Sequence, residues 1–197
     1  MKKIILLGAG GHAKACIDVI KSEKKYKIYG IINKKIEKKL DNFFDEYKIL
    51  GDDSVLKNIS KITNNVHLAI GIITNFNLRI NIYKKILTND LKVTKIISPL
   101  SYISSTSYVG DGTSVMHHAI INSNSKIGIN SIINSKSLIE HDVIIGNNTH
   151  ISTGAIVNGG VSIGDNVFIG SGSIIYNNIK ISSNNIIPAG SIVKNNI

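Results

Sequence analysis

The sequence is poor in Cys, Pro and Trp: among 197 residues it has one Cys, two Pro and no Trp. A single Cys excludes a disulfide framework and any metal site built from several cysteines, so we expect a reducing compartment. The apolar run at residues 4–7 ends at Gly8, which makes it too short for a signal peptide or a membrane-spanning helix. The sequence therefore predicts a soluble, cytoplasmic protein.

Arginine is almost absent, since Arg79 is the only Arg among 23 basic residues. The formal charge of +10 lies in one half of the chain: residues 1–98 hold 19 basic and 9 acidic side chains, and residues 99–197 hold four of each. A surface that binds nucleic-acid phosphates usually recruits Arg for its bidentate geometry. We therefore expect no nucleic-acid partner. We also expect no membrane partner, because no apolar stretch reaches transmembrane length.

A strict six-residue repeat fills the second half of the chain. From Ile97 to Val193 every sixth residue is Ile or Val, without an insertion. An α-helix does not produce this period together with so much Gly, Asn and β-branched content. The repeat predicts a solenoid of short parallel strands, three to a coil, in which residues 18 apart lie above one another.

The first half alternates predicted strands and helices. Buried strands are predicted at residues 3–7, 28–33, 66–70 and 92–97, with a helix after the first of them and another capped by Asn75. This order predicts a Rossmann-like α/β domain with a parallel sheet and a ligand crevice at the carboxyl ends of the strands. We place this domain at residues 1–96 and the solenoid at residues 97–197.

A glycine-rich turn, GAGGH at residues 8–12, follows the first strand. Residues 8, 10 and 13 fit the dinucleotide fingerprint, in which glycines let a phosphate approach the backbone at a helix N-terminus. However, Asn33 and Lys34 stand where an acidic residue would bind the ribose, and the domain is short for a full dinucleotide fold. A nucleotide-sugar pocket is favoured, and an NADP-binding reductase with Lys34 on the 2′-phosphate is the alternative that the turn alone supports.

The turn, the small α/β domain and a hexapeptide solenoid containing Ile139-Glu140-His141-Asp142 together resemble the sugar O-/N-acetyltransferases of the sialic acid O-acetyltransferase group. That group includes bacterial enzymes that acetylate UDP-linked 4-amino-4,6-dideoxy sugars. The resemblance spans the whole chain. It implies a left-handed parallel β-helix, acetyl-CoA as cosubstrate, a homotrimer and a nucleotide-sugar acceptor held by the N-terminal domain, with no metal.

The resemblance places the catalytic base on His141, with Asp142 raising its basicity. Acetyl transfer to an amine or a hydroxyl needs a group that removes a proton, and His is suited to this near neutral pH. Neighbours on a straight strand point to opposite faces. Asp142 is therefore expected to touch His141 at a coil corner, or else to act through its field alone.

Further site residues are expected around this pair. The 18-residue spacing places Gly159 above His141, which leaves room for a thioester arm and exposes backbone amides to a developing oxyanion. The coenzyme contacts that the resemblance implies are His150, Gly159, Gly160, Gly170 and Ser171. The substrate contacts that it implies are Gly10, Gly11, His12, Asn33, Lys34 and Gly71, although the UDP-sugar enzymes often carry an acidic pair where this chain has Asn33 and Lys34.

The sequence thus predicts an acetyl-CoA-dependent N-acetyltransferase. Its acceptor is expected to be the amino group of a nucleotide-linked amino (dideoxy) sugar used in surface glycan or glycoprotein biosynthesis. O-acetylation of sialic acid or a related sugar is the alternative within this class. A non-catalytic sensor of nucleotide sugars is the alternative outside it.

Overall fold

The computed structural model describes residues 1–33, 43–73 and 75–197, so the predicted substrate residue Lys34 lies outside the described residues. The first part of the chain is an α/β unit. Its elements are β1 Lys2–Leu7, α1 Gly11–Glu23, β2 Tyr26–Ile32, β3 Phe43–Phe44, β4 Tyr47–Gly51, a 3₁₀ turn Asp53–Val55, α2 Leu56–Ile59, β5 Asn65–Leu68, α3 Phe76–Leu87 and β6 Lys92–Val93.

The α/β unit contains one six-stranded sheet with the order β3-β4-β2-β1-β5-β6. All neighbouring strands are parallel except β3 and β4, which pair antiparallel. Asn75 caps α3 as predicted, because its side chain accepts a hydrogen bond from the Leu78 amide at 3.3 Å. Because β1 pairs in parallel with both β2 and β5, the carboxyl ends of these three strands lie at one edge of the sheet.

Two features of this sheet differ from the prediction. Strands β3 and β4 are not predicted from the sequence, because their residues are exposed or only half-buried and carry no continuous apolar run. The strand predicted at 92–97 is also wrong as one element, because residues 94 and 95 interrupt it. β6 joins the α/β sheet beside β5, whereas Ile96 and Ile97 pair with Ser114 and Val115 of the solenoid.

The rest of the chain forms the predicted parallel β-helix. Two-residue strands recur every six residues, from β7 (Ile96–Ile97) to β23 (Ile192–Val193). They build three sheets: a first face of β7, β10, β13, β16, β19 and β22; a second face of β8, β11, β14, β17, β20 and β23; and a third face of β9, β12, β15, β18 and β21. Strands 18 residues apart pair in parallel, as Ile139 does with Ile121 and Val157.

The corners of the coils explain why the sequence is so rich in Asn and Gly. Every sixth residue from Gly112 to Gly190 has a positive φ, between +54° and +74°. This left-handed conformation is open to Gly and is tolerated best by Asn and Asp among the other residues. Asp142, with φ +59°, is one of these corner residues.

The α/β unit packs against the first face of the solenoid. The outward-pointing residues Ile96, Ser114, Ile132 and His150 of that face are all buried. Met116 and Ile96 belong to the same apolar cluster as helix α1 and strand β1. These four positions of the first face therefore form an internal boundary of the molecule, whereas Ile186 at the other end of this face is exposed, as are residues on the outer sides of the second and third faces.

Candidate active site

A cavity of about 840 Å³ lies where the carboxyl ends of β1, β2 and β5 meet the solenoid. Its volume lies in the range of small-molecule binding sites. The sequence-predicted substrate residues that line it are Gly10, Gly11, His12, Asn33 and Gly71. One cavity thus brings together every predicted substrate residue that the structure describes.

The glycine-rich turn gives this cavity a floor of backbone atoms. Gly8 has φ +115°, and a Cβ added there would lie 2.7 Å from Cγ1 of Ile70 and 2.8 Å from the carbonyl oxygen of Ala69. Cβ atoms added at Gly10 and Gly11 would meet nothing within 4 Å. Helix α1 starts at this open position with no side-chain cap and no acidic residue in its first turn. Its free amides favour an anionic group.

Behind the turn lies a chain of buried, neutral polar groups. The Cys16 thiol contacts Nε2 of His12 at 3.4 Å and Nε2 of His67 at 3.7 Å, while Nδ1 of His67 donates to the Thr94 carbonyl at 2.8 Å. Burial lowers the pKa of His67 to about 3 and raises the pKa of the Cys16 thiol to about 12. A thiol with so high a pKa is not a nucleophile at neutral pH.

The solenoid contributes His150 and Asn134 to the same cavity. The Asn134 amide lies 3.2 Å from Nε2 of His150, and Nδ1 of His150 lies 2.6 Å from the Ile72 carbonyl oxygen. Because an amide NH₂ group only donates, the ring proton is on Nδ1 and is donated to Ile72. Burial lowers the pKa of His150 to about 4. His150, predicted to contact the coenzyme, thus lies among the predicted substrate residues, and Asn134 was missed.

The second group of predicted residues lies at the corner that follows β14 (Leu138–Ile139) of the second face. Oδ2 of Asp142 lies 2.7 Å from Nδ1 of His141, and more than half of each side chain is exposed. The left-handed corner turns the carboxylate back towards its neighbour, so the two side chains do touch. This contact holds the pKa of Asp142 below its usual value, and the Asn124 amide also donates to its Oδ1 at 3.3 Å.

Gly159 lies against the His141 ring, as the 18-residue spacing predicts. A Cβ added at Gly159 would lie 2.7 Å from both Cε1 and Nε2 of His141. The Gly160 amide donates to the His141 carbonyl oxygen at 3.0 Å, so it is occupied within the solenoid. The Gly160 amide is therefore not available to a developing oxyanion.

Gly170 and Ser171 lie at a different corner, which follows β19 (Phe168–Ile169) of the first face. A Cβ at Gly170 would overlap the backbone of Ala189, and the Ser171 hydroxyl is hydrogen-bonded to that of Ser152 at 2.9 Å. Within a single chain, the second face therefore lies between this corner and the corner that holds His141. The predicted coenzyme residues are not gathered at one corner of a single chain.

In the part of the chain that the structure describes, no group of three or more His, Cys, Asp or Glu side chains is arranged to hold a metal ion. None of the described helices is long and apolar enough to cross a bilayer.

Comparisons with known proteins give one family match, in the first half of the chain, and structural matches that cover the whole chain. Residues 3–86 match the PglD N-terminal domain family. A search of curated protein sequences finds no match. Among solved structures, PerB from Caulobacter crescentus, in complex with CoA and GDP-perosamine, has a TM-score of 0.90 at 25% identity and covers 100% of this chain and 91% of its own.

Two further structures extend this likeness. A mutant of perosamine N-acetyltransferase from Caulobacter crescentus has a TM-score of 0.90 at 24% identity, covering 100% of this chain and 90% of its own. The acetyltransferase domain of PglB from Neisseria gonorrhoeae, in complex with acetyl coenzyme A, has a TM-score of 0.87 at 22% identity, covering 100% and 92%. The left-handed β-helix and the resemblance to hexapeptide-repeat sugar acetyltransferases are thereby confirmed.

Proposed function

We propose that this chain transfers the acetyl group of acetyl-CoA to the amino group of a nucleotide-linked amino (dideoxy) sugar, for surface glycan or glycoprotein biosynthesis. The observation that carries the proposal is the His141–Asp142 pair, 2.7 Å apart and exposed at a solenoid corner. It occurs on the fold of a perosamine N-acetyltransferase that was crystallised with CoA and GDP-perosamine.

The pair is arranged for general base catalysis. The Asp142 carboxylate accepts a hydrogen bond from Nδ1–H of His141, so Nε2 offers its lone pair to the acceptor. As the acceptor nitrogen attacks the thioester carbon, Nε2 takes a proton from that nitrogen and the Gly159 amide donates to the oxygen that becomes negative. The C–S bond then breaks, the leaving sulfur receives the proton from His141, and the products are the amide and free coenzyme A.

The cavity of the α/β unit is the proposed site of the nucleotide sugar. The open N-terminus of α1 at Gly10 and Gly11 suits a diphosphate, because its amides lack side-chain caps and acidic neighbours. His12, Asn33 and Gly71 line the walls beside it and are proposed to contact the ligand. Lys34 keeps its predicted role as a contact next to Asn33.

The working form is proposed to be a homotrimer. The outward-pointing residues of the second face form an uninterrupted apolar row that is exposed or half-buried in the single chain: Tyr102, Ile120, Leu138, Ile156, Ile174 and Ile192. Such a row favours association with a second copy. The His141 corner and the Gly170–Ser171 corner border this face on opposite sides, so a neighbouring copy completes the coenzyme site. Gly160 and Ser171 keep their proposed coenzyme roles in that arrangement, whereas His150 is buried on the first face and lines the cavity of the α/β unit.

A cytoplasmic location is proposed for the same enzyme. The cytoplasm supplies acetyl-CoA and nucleotide sugars, and the buried Cys16 thiol is compatible with a reducing compartment.

One assay tests the function directly. Release of free thiol from acetyl-CoA is followed with UDP-, dTDP- and GDP-linked amino sugars and with free sialic acids as acceptors. We expect turnover with at least one nucleotide-linked amino sugar and none with an otherwise identical sugar whose amine is already acetylated. Turnover with sialic acid alone would instead favour the hydroxyl acceptor. No turnover with any acceptor would contradict the proposal and favour a binding protein.

A further inference from the structure

The only arginine of the chain is fully buried beside the cavity. Arg79 lies on α3, has no exposed surface and donates through one guanidinium nitrogen to the carbonyl oxygens of Leu68 at 2.7 Å and Ile70 at 2.5 Å. Residues 69–73, here called the cavity wall, come directly after Leu68 in the chain, include Ile70 and line the cavity. Arg79 therefore fixes the backbone at the start of the wall.

The same side chain also reaches the solenoid. Its Nε donates to the carbonyl oxygen of Asn130 at 3.2 Å, and Asn130 is a buried coil-corner residue with φ +54°. The solenoid returns a contact of its own, because Nδ1 of His150 donates to the Ile72 carbonyl of the wall at 2.6 Å. The wall is thus tied to the solenoid by two hydrogen-bond links that begin on different elements.

A buried cation is costly unless its donors are satisfied, and Arg79 has no carboxylate partner among the described ion pairs. Burial lowers its pKa only to about 10, so it stays charged at neutral pH. A methionine would fill a similar volume without that cost. What the guanidinium adds is a rigid fork of donors that bonds three carbonyl groups at once, which a lysine ammonium cannot reproduce in the same geometry.

The charge of Arg79 acts on the cavity as well. After burial, it is the next cause that lowers the pKa of His12, and it also lowers the pKa of His150. Both cavity imidazoles are therefore neutral at pH 7, and the fixed positive charge behind them favours an anionic ligand.

We propose that Arg79 is a positioning residue for the acceptor: it holds the cavity wall against the solenoid and so sets the shape of the cavity in which the nucleotide binds. The identity of the ligand rests on the proposed function, whereas the effect on the wall does not.

Hydrogen exchange, read by mass spectrometry on the full chain, tests the effect on the wall. In R79K and R79M we expect the amides of residues 69–73 to exchange about tenfold faster than in the wild type, a factor typical of one lost buried hydrogen-bond set. The coils at residues 156–175 should exchange at the wild-type rate. The control K84M changes an exposed residue of the same helix and should leave the wall unchanged.

Ligand binding supplies the second measurement, with GDP and UDP as calorimetric probes. R79K is expected to bind the preferred nucleotide about tenfold more weakly, and in turnover to raise KM for the acceptor while KM for acetyl-CoA stays within about twofold. A merely structural role would lower the active fraction, and hence kcat, without this split.

Wild-type exchange of the wall in a folded R79K would overturn the inference, as would unchanged nucleotide affinity. If both Arg79 variants fail to fold, H150F breaks the other link between the wall and the solenoid, together with the contact between His150 and Asn134. Unchanged exchange of the wall in H150F would show that the wall does not depend on its solenoid links and would overturn the inference. If the wild type acetylates no nucleotide sugar, the proposed function fails, and the exchange comparison still decides the role of Arg79.

Discussion

The imidazole of His141 lies against the backbone of Gly159, where a Cβ would come within 2.7 Å of both Cε1 and Nε2. The two residues are 18 apart and therefore occupy the same corner in successive coils. Asp142 fixes the opposite side of the ring through Nδ1. The orientation of the proposed base is thus set by one hydrogen bond and by one missing side chain.

Replacing the proposed base should abolish most of the turnover. In H141N we expect kcat to fall by about 10²- to 10⁴-fold, because general base catalysis contributes a factor of this size, with KM for both substrates nearly unchanged. Steady-state thiol release measures both constants. The matched control is H118N, since His118 is an exposed corner residue with φ +59° that Asn tolerates. Full activity in H141N would contradict the mechanism.

Removing only the charge of Asp142 should have a smaller effect. D142N keeps an acceptor oxygen and a residue that tolerates φ +59°, but it loses the negative charge that stabilises the imidazolium formed during proton transfer. We expect kcat to drop about tenfold, with unfolding temperature unchanged within error, by the same assay and by circular dichroism. D111N, at an exposed carboxylate elsewhere in the solenoid, should retain wild-type kcat.

A methyl group at position 159 should displace the His141 ring. G159A places a Cβ where the ring lies, so the ring must rotate away from its position over the backbone. We expect kcat to fall by about 10- to 100-fold, because misplacement of a catalytic group by 1 Å can cost about 100-fold. G154N is the control, since Gly154 has φ +66° and open space around its Cβ position. Equal activity of G159A and wild type would show that the ring position is not critical.

A charge on the second face should prevent assembly. I120E places a carboxylate in the exposed apolar row, and we expect the mass in solution to fall from that of a trimer to that of one 21.4 kDa chain, with loss of activity. Light scattering after size exclusion measures the mass. I144E alters an exposed isoleucine at the equivalent strand position of the third face and should remain trimeric and active. A wild-type monomer that is active would refute the shared site.

Acid should destabilise the fold through its buried imidazoles. The pKa of His67 is lowered to about 3 and that of His150 to about 4, so between these values and about pH 6.5 the unfolded chain binds protons that the native chain does not. This stabilisation is present above pH 6.5 and is lost as the pH falls towards 4. Urea unfolding at several pH values should show it.

The slope of unfolding free energy against pH is the quantity to compare. Each such histidine contributes up to about 1.4 kcal/mol per pH unit in this window. H67Q should therefore reduce the slope by about one proton relative to the wild type, whatever its effect on absolute stability. An identical slope in H67Q would mean that His67 is protonated in the native chain.

The solenoid could be predicted almost completely from the sequence, because its period is a local property. The Ile or Val at every sixth position from Ile97 predicts a short strand at each interval, with this side chain pointing into the core. The structure pairs these positions as expected. The contact between His141 and Asp142 cannot be predicted from the sequence, since only the left-handed corner at Asp142 decides it. The β3–β4 hairpin was missed because neither strand carries an apolar run or an alternation strong enough to detect.

The sequence by itself determined the two architectures, their order along the chain and the glycine-rich turn, because periodicity and backbone restrictions act between near neighbours. Tertiary structure alone decided which distant residues share a site. Asn134 and His150 reach the α/β cavity because the first face packs against the α/β unit, and Arg79 bonds Asn130 across that boundary. These contacts join residues 51 or more positions apart, over which no local pattern of residue types carries information.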